Sequence, residues 1–267
     1  MLKTLQIAIL SSILFFSAVV NAQEIKNGKV IARDLLTHDA PKASKFYTEL
    51  FGWKAFTKTN LIELQKDGLV VASIIEVDAQ HHPLWVPLIA HNDFTLAKKK
   101  ILNNGGTVLK DVKEKENVGD YLLVRDQEKA LFVITKPLNY TKPSGFIQEN
   151  EWLWDEVWSH NVEGSAAFYQ EVFGYELEKT PSGYVLFKNG DSWLAGLLDN
   201  PYEKSQTQWA STIRVHDTKA VSDKAVKLGG KILVNVEQSK EHAAVVILAD
   251  PMGAVFIIEN YEEKVPR

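Results

Sequence analysis

The stretch "KFYTELFGW" at residues 45–53 returns as "AFYQEVFGY" at residues 167–175. Phe46-Tyr47 and Phe168-Tyr169 stand 122 residues apart, as do Gly52 and Gly174. Further on, "NNGGTVL" (103–109) matches "KLGGKIL" (227–233) at an offset of 124, and "RDQEKALFVI" (125–134) matches "ADPMGAVFII" (249–258) at the same offset. Two extra residues between Gly68 and Trp85 account for the change, because Trp85 already pairs with Trp209 at 124. Matched blocks in one order identify a tandem duplication, and a repeat limits the possible folds more than any other property of a chain. The copies run over 27–138 and 150–262, joined by a linker at 139–149. The stretch around that linker, "KPLNYTKPSGFIQENE", has two Pro, a Ser-Gly pair and no periodicity.

Each copy predicts the same elements in the same order. "VIARDLLT" and "LWDEVWSH" read as short strands. Asp39 and Asn161 then sit where a short side-chain oxygen caps the free amides of a helix start. Ala43, Phe46, Tyr47, Leu50 and Phe51 follow with the spacing of one apolar helix face, as do Ser165, Phe168, Tyr169, Val172 and Phe173. Gly52 and Gly174 come just past these helices, where a left-handed cap favours Gly. Two or three strands follow each helix, and then a second strand–helix–strands unit whose helix ends at the Gly pair. The last strand pair of copy two turns through "DPMG", a hairpin signal that copy one replaces with "DQEK". The fold class is therefore α+β, with βαβββ units occurring twice in each copy.

The first 22 residues stand apart. Lys3 precedes the apolar run "IAILSSILFFSAVV", and "VNAQ" offers a small residue at Ala22 before Gln23. This is the pattern of a cleavable signal peptide over 1–22, cut after Ala22. The apolar run is shorter than the roughly 20 residues a membrane span needs. The expectation is a periplasmic or secreted protein, with no membrane attachment after cleavage. There is no Cys, which removes disulfides, thiol catalysis and lipid anchoring at a cleavage-site Cys. A formal net charge of −4 gives no reason to expect a nucleic-acid partner. There is no Gly-rich phosphate loop, Gly-x-Ser-x-Gly or His-Glu-x-x-His, so nucleotide and hydrolase readings lack support.

The strand–Asp/Asn–helix–"FY…FGW/Y" block, the "GG" block and "LADPMGAVF" resemble the vicinal oxygen chelate superfamily of glyoxalases, bleomycin-resistance proteins and extradiol dioxygenases. The resemblance covers nearly the whole mature chain and is strongest in copy two. It implies two glyoxalase-like domains, each pairing its βαβββ units into an incomplete barrel around a cleft, and in many members a divalent metal in that cleft. The ligand positions it implies fall here on Ala32 and Trp154, on Val86 and Ala210, and on Val133 and Ile257. None of these side chains donates to a metal. A fourth position lies near Glu76 and Asp199, and Glu259 stands two residues past its slot. The expectation is a cleft with no metal and no cofactor that binds a small organic molecule. The alternative is a lyase, isomerase or dioxygenase whose metal site has shifted onto Glu76, Asp199 or Glu259.

Strand alternation then selects the residues that share the cleft face. In copy one these are Ala32, Asp34, Leu36 and His38; in copy two they are Trp154, Glu156, Trp158 and His160. The ligand-binding candidates are Asp34, His38, Trp154, Glu156, Trp158 and His160, an acid and an imidazole in each cleft with an aromatic wall in copy two. Such a pair suits general acid–base work or a pocket with a few placed polar groups, and a solvated rim remains open for the histidines. His81 and His82 read as a solvated loop, His91 and His216 as rim residues, and Trp85 and Trp209 as core. The better preserved hairpin and Trp-rich strand point to copy two as the binding copy. Ligand identity and oligomeric state are not legible.

Overall fold

A computed structural model describes residues 26–113, 120–136, 147–236 and 244–261. The expected signal peptide and residues 139–146 of the expected linker lie outside the described residues. Copy one forms β1 (Val30–Thr37), α1 (Ala40–Phe51), β2 (Lys54–Thr57), β3 (Ile62–Lys66), β4 (Leu69–Glu76), β5 (Leu84–Ala90), α2 (Phe94–Asn103), β6 (Thr107–Val112), β7 (Tyr121–Arg125) and β8 (Leu131–Thr135). Copy two repeats the series as β9 (Trp152–Ser159), α3 (Val162–Phe173), β10 (Glu176–Lys179), β11 (Val185–Asn189), β12 (Ser192–Asp199), β13 (Gln208–Arg214), α4 (Thr218–Lys227), β14 (Lys231–Val236), β15 (Val245–Ala249) and β16 (Val255–Glu259). The βαβββ units appear where the sequence places them.

Each copy makes one eight-stranded sheet, in the order β2-β3-β4-β1-β5-β8-β7-β6 and its counterpart β10-β11-β12-β9-β13-β16-β15-β14. The first strand of each copy lies at the centre, parallel to the last strand of its own unit and antiparallel to the first strand of the next. Local chemistry sets the helices between them. The Asp39 carboxylate accepts from the Lys42 amide at 2.9 Å, and the Asn161 side chain accepts from the Gly164 amide at 3.0 Å. Gly52 and Gly174 take left-handed φ values of 74° and 76° and close α1 and α3.

The two sheets share their cores. One apolar cluster joins Phe94, Ile101, Phe132 and Ile134 of copy one to Phe168, Tyr169, Phe173 and Phe187 of copy two. A second joins Phe46, Tyr47, Phe51 and Trp85 of copy one to Ile213, Leu248, Phe256 and Ile258 of copy two. Burying each of these large side chains stabilises by about 1.5–3 kcal/mol before the entropy of ordering it is subtracted. The helix-side faces of both sheets are thereby fixed against each other.

This sharing explains the repeated phrase. The Trp85 indole donates to the Tyr47 hydroxyl at 3.0 Å, and Tyr47 donates to Asp250 Oδ2 of the other copy at 3.2 Å. Trp209 donates to Tyr169 at 3.0 Å, and Tyr169 donates to Asp126 Oδ2 at 2.9 Å. Each of these Asp residues holds a hairpin with its other oxygen, Asp250 through the amides of Met252, Gly253 and Ala254, and Asp126 through those of Glu128 and Ala130. Burial pushes the Asp126 carboxyl up to about 6. Without its Gly, the copy-one hairpin puts Lys129 into the left-handed region at φ 77°. The aromatic after each cap also crosses over: the Trp53 indole donates to the Asn150 carbonyl at 2.9 Å, and the Tyr175 hydroxyl to that of Gly28. Gly106 leaves no room for a Cβ, which would stand 2.8 Å from the Phe168 ring. The "FY", "FGW/Y" and "GG" blocks recur because each copy must fit the other.

At the centre of this interface Arg33 meets Asp155, its own equivalent at an offset of 122. The pair is buried and bidentate, Asp155 also accepts from the Ser211 hydroxyl at 2.7 Å, and the guanidinium lies 4.8 Å from the Trp152 ring centre. Equivalent positions that touch mark the axis relating the two copies. There the two copies carry opposite charges at equivalent positions.

Candidate functional site

The opposite faces of the sheets curve inward as separate interiors. Leu36, Val86, Leu88, Leu123 and Val133 fill the interior of copy one, with Ala32 packed on them. In copy two, Trp158, Ala210, Ile247 and Ile257 pack together, with Leu198, Tyr202, Val234, Val245 and Val255 against them. The alternation read from the sequence is therefore correct for both central strands, since Leu36 and Trp158 face inward while Leu35 and Val157 lie in the shared cores.

At the open end of copy two a cavity of about 170 Å³ is lined by Leu153, Trp154, Tyr184, Leu186, Trp193, Glu259 and Tyr261. A chain of hydrogen bonds runs from its wall into the domain. The Trp154 indole donates to the Tyr184 hydroxyl at 2.7 Å, and Tyr184 donates to Glu156 Oε2 at 3.0 Å. Glu156 Oε1 accepts from the Trp158 indole at 2.7 Å. Burial, offset by these two donors, holds the Glu156 carboxyl above its ordinary range. Burial and the neighbouring Glu156 charge push the Tyr184 hydroxyl up as well, so it stays a donor. Gly196 makes the arrangement possible. It stands opposite Leu186 and Glu156 in strand register, and a Cβ there would lie 1.7 Å from the Tyr184 oxygen.

The structure brings Trp154, Glu156 and Trp158 together. Trp158 is only 1% exposed, so it closes the inner end rather than lining an opening. Asp34 faces inward in copy one but is 1% exposed, with the Ser73 hydroxyl as its hydrogen-bonding neighbour and no partner on Oδ2. Burial raises its carboxyl to about 7. The imidazoles do not join these groups. His38 and His160 are exposed, one residue past the ends of β1 and β9, where strand alternation no longer governs direction. His160 Nε2 lies 2.8 Å from the Ser205 carbonyl, beyond the end closed by Trp158. His216 is exposed as expected. His91 is not a rim residue: it is 2% exposed, packs beside Phe173 and accepts from the Asp93 amide at 3.0 Å. Its burial lowers its pKa. Tyr184 and Gly196 escaped the sequence reading, although each departs from its equivalent, Leu61 and Ser73. These stand at an offset of 123, so one of the two extra residues lies between β10 and β11 and only the other between β12 and β13, not both after Gly68 as the sequence suggested.

A family model for glyoxalase-like domains matches residues 155–258. The structure superposes on a Mn(II)-bound glyoxalase from Novosphingobium aromaticivorans with a TM-score of 0.65 at 12% identity, covering 89% of this chain and 84% of that one. On a catechol 2,3-dioxygenase the TM-score is 0.61 at 13% identity, covering 91% and 90%. The chain has the vicinal oxygen chelate fold, twice over. Among relatives by sequence, the Mycobacterium tuberculosis protein named "Putative glyoxylase CFP32" is 23% identical over 239 residues, 84% of this chain and 92% of that protein. The anthracycline biosynthesis protein DnrV of Streptomyces peucetius is 23% identical over 259 residues, 87% of this chain and 93% of that protein.

The metal-ligand positions that the resemblance implies lie on the inward faces of the central strands. Asp34 stands opposite Val86, and Leu88 opposite Val133; Glu156 stands opposite Ala210, and Thr212 opposite Ile257. The inward residues at the expected slots are apolar. The shifted set does not assemble either. Asp199 pairs with Ser159 at one end of the central strand, while Glu259 pairs with Arg214 near the other, roughly 20 Å away along the strand. Glu76 belongs to copy one, where its carboxylate accepts from the Ala40 amide at 3.1 Å. Among the described residues no three His, Cys, Asp or Glu side chains converge. These residues do not fit a bound metal.

Proposed function

We propose that this protein binds a small organic molecule in the interior of its second domain, without a metal and outside the cytoplasm. The observation that carries the reading is the cavity beside Trp154, backed by the Tyr184–Glu156 pair, in a fold whose other interior is packed shut. Ligand pockets combine an apolar wall with a few fixed polar groups. This one has aromatic rings on its wall, and behind its Tyr184 the Glu156 carboxylate is held in place by two donors. Its volume of about 170 Å³ lies below the usual range of roughly 300–1,000 Å³, so the ligand is small. Export rests on the charged, apolar and small-residue sequence of the first 22 residues. The mature protein then needs no membrane or nucleic-acid partner.

A second reading is supported by Glu156. A carboxyl raised by burial and hydrogen-bonded to Tyr184 on the cavity wall is equipped to exchange a proton with a bound ligand through that hydroxyl. That chemistry would use this chain's own groups, and it is compatible with the names of the sequence relatives.

Intrinsic tryptophan fluorescence, titrated with a panel of small organic compounds, tests the first reading. Saturable quenching in the wild type that Trp154→Ala weakens about tenfold or more, with an unchanged melting temperature, is the expected result. Quenching that persists in Trp154→Ala and disappears in Asp34→Asn would move the site to the first domain and overturn the proposal.

A further inference from the structure

An Asn followed by Gly is prone to lose ammonia, because Gly places no side chain in the way of its own backbone nitrogen. The sequence has Asn-Gly at 27–28, 104–105 and 189–190. The reaction needs the side-chain amide carbon of Asn to meet the nitrogen of Gly, so bonds that hold either group slow it. The structure holds the three pairs differently.

Asn27 Oδ1 accepts from the Asn92 amide at 2.8 Å, and the Gly28 amide donates to the Ala90 carbonyl at 2.9 Å. Gly28 is buried, with the Tyr175 ring where a Cβ would stand and the Tyr175 hydroxyl on its carbonyl. Both reacting groups are locked between the copies. Asn104 Nδ2 donates back to the Lys100 carbonyl at 2.8 Å, which turns its side chain over the end of α2. The third pair is unrestrained. Asn189 ends β11 opposite Ser192, so Gly190 lies in the turn and outside the strand ladder. Gly190 is exposed, in the left-handed region at φ 59°, and its amide makes one long contact, to Glu176 Oε1 at 3.4 Å. Among the described residues no hydrogen bond holds the Asn189 side chain. Its main-chain carbonyl does accept, from the Lys26 ammonium at 2.7 Å, and Lys26 also reaches the Ser192 hydroxyl at 3.3 Å.

We infer that Asn189 is a modification site, deamidating without an enzyme while Asn27 and Asn104 persist. The Gly190 nitrogen loses its proton to solvent base and bonds to Cγ of Asn189. The Cγ–Nδ2 bond breaks, and Nδ2 takes a proton and leaves as ammonia. Water then opens the five-membered imide at either carbonyl. One opening leaves aspartate. The other leaves isoaspartate, with the main chain running through the former side chain and the former main-chain carbonyl freed as a carboxylate. That is the group Lys26 already holds, so the new negative charge forms beside a positive one. The same hairpin carries Trp193 onto the wall of the second-domain cavity, so the charge and the lengthened chain arise next to that wall. The inference does not depend on what the cavity binds.

The test holds the purified protein at mildly alkaline pH and samples it over days. Each sample is digested with pepsin in acid, where the reaction is slow, and the three Asn-Gly peptides are followed by mass spectrometry. A parallel course in urea gives the rates with the fold removed. In the native protein Asn189 should react roughly three- to tenfold faster than Asn104, the factor expected for releasing one hydrogen bond, and Asn27 slower still. In urea the three rates should converge to within about twofold. Asn189→Ser should remove the first acidic species that ion exchange detects in the ageing wild type. Asn27 or Asn104 reacting as fast as Asn189 in the native protein would overturn the inference. So would a native Asn189 that stays intact while its urea counterpart converts, or an acidic species that forms equally fast in Asn189→Ser.

Discussion

The interiors of the two domains are the same surface put to different uses. Where the first has Ala32, Asp34 and Leu36 on its central strand, the second has Trp154, Glu156 and Trp158. Leu61 is matched by Tyr184, Glu63 by Leu186, Ser73 by Gly196 and Thr135 by Glu259. In the first domain Glu63 is fully buried, with the Lys58 ammonium 3.9 Å away and the Gln65 amide donating to its other oxygen. Asp34 and Glu63 both stand opposite Ser73 in strand register, so the first interior keeps its polar groups enclosed. In the second, a smaller residue at Gly196 admits the Tyr184 hydroxyl, and the polar groups lead to an opening. The helix-side faces show the reverse pattern. There Tyr47 and Tyr169, Trp85 and Trp209, Asp250 and Asp126 are kept in step, because each pairs with the other copy. A duplication is free to diverge where a copy faces only itself.

Several substitutions break or sharpen this contrast. The largest effect belongs to the shared interface. Arg33→Ala leaves Asp155 buried without its cation and should destabilise the protein by about 3–5 kcal/mol, read by denaturant unfolding. A charge-free double variant, Arg33→Met with Asp155→Leu, should recover much of that loss. If the single variant is neutral, the interface is not the fixed part of the molecule.

Asp34 tests the enclosed interior. Its folded-state carboxyl, at about 7, lies above the ordinary value, so the folded state binds more protons than the unfolded chain between pH 4 and 7. Stability attributable to Asp34 is thus full below about pH 4, falls as pH rises to about 7, and stays low above it. Asp34→Asn should flatten this slope and stabilise the protein at pH 8 by roughly 2–4 kcal/mol. An unchanged pH–stability profile would mean that the charged form is satisfied where it stands.

Gly196→Ala is a smaller probe, aimed at the open interior. The new methyl displaces the Tyr184 hydroxyl from Glu156 and should cost roughly 1–3 kcal/mol through overpacking. Ligand binding should weaken by more than stability does. The equivalent change in the first domain, Ser73→Ala, should leave binding unchanged.

Much of the fold was legible because it is written in local rules. Caps at Asp39 and Asn161, left-handed glycines after α1 and α3, and helix-spaced apolar residues each specify their element within a dozen residues. The reason for the repetition was not legible. Tyr47 and Asp250 are 203 residues apart and Tyr169 and Asp126 are 43 apart, so no single offset announces that the same contact is made twice. On the candidate site, alternation placed Trp154, Glu156 and Trp158 on the inward face but carried His38 and His160 one residue too far, past the strand ends. Tyr184 and Gly196 were missed because neither residue is suggestive alone. Their signal lies in the pair, a larger residue facing a smaller one relative to the other copy.

The most direct measurement of the central claim, that the second interior has been rebuilt for an organic molecule in place of a metal, is metal content. The purified protein would be incubated with zinc, nickel, iron(II) and manganese, desalted, and analysed by plasma mass spectrometry. The account predicts retention well below one equivalent of any metal, with Glu259→Gln making no difference. Retention of close to one equivalent, lost in Glu259→Gln, would contradict it and restore the metal-dependent reading of the fold.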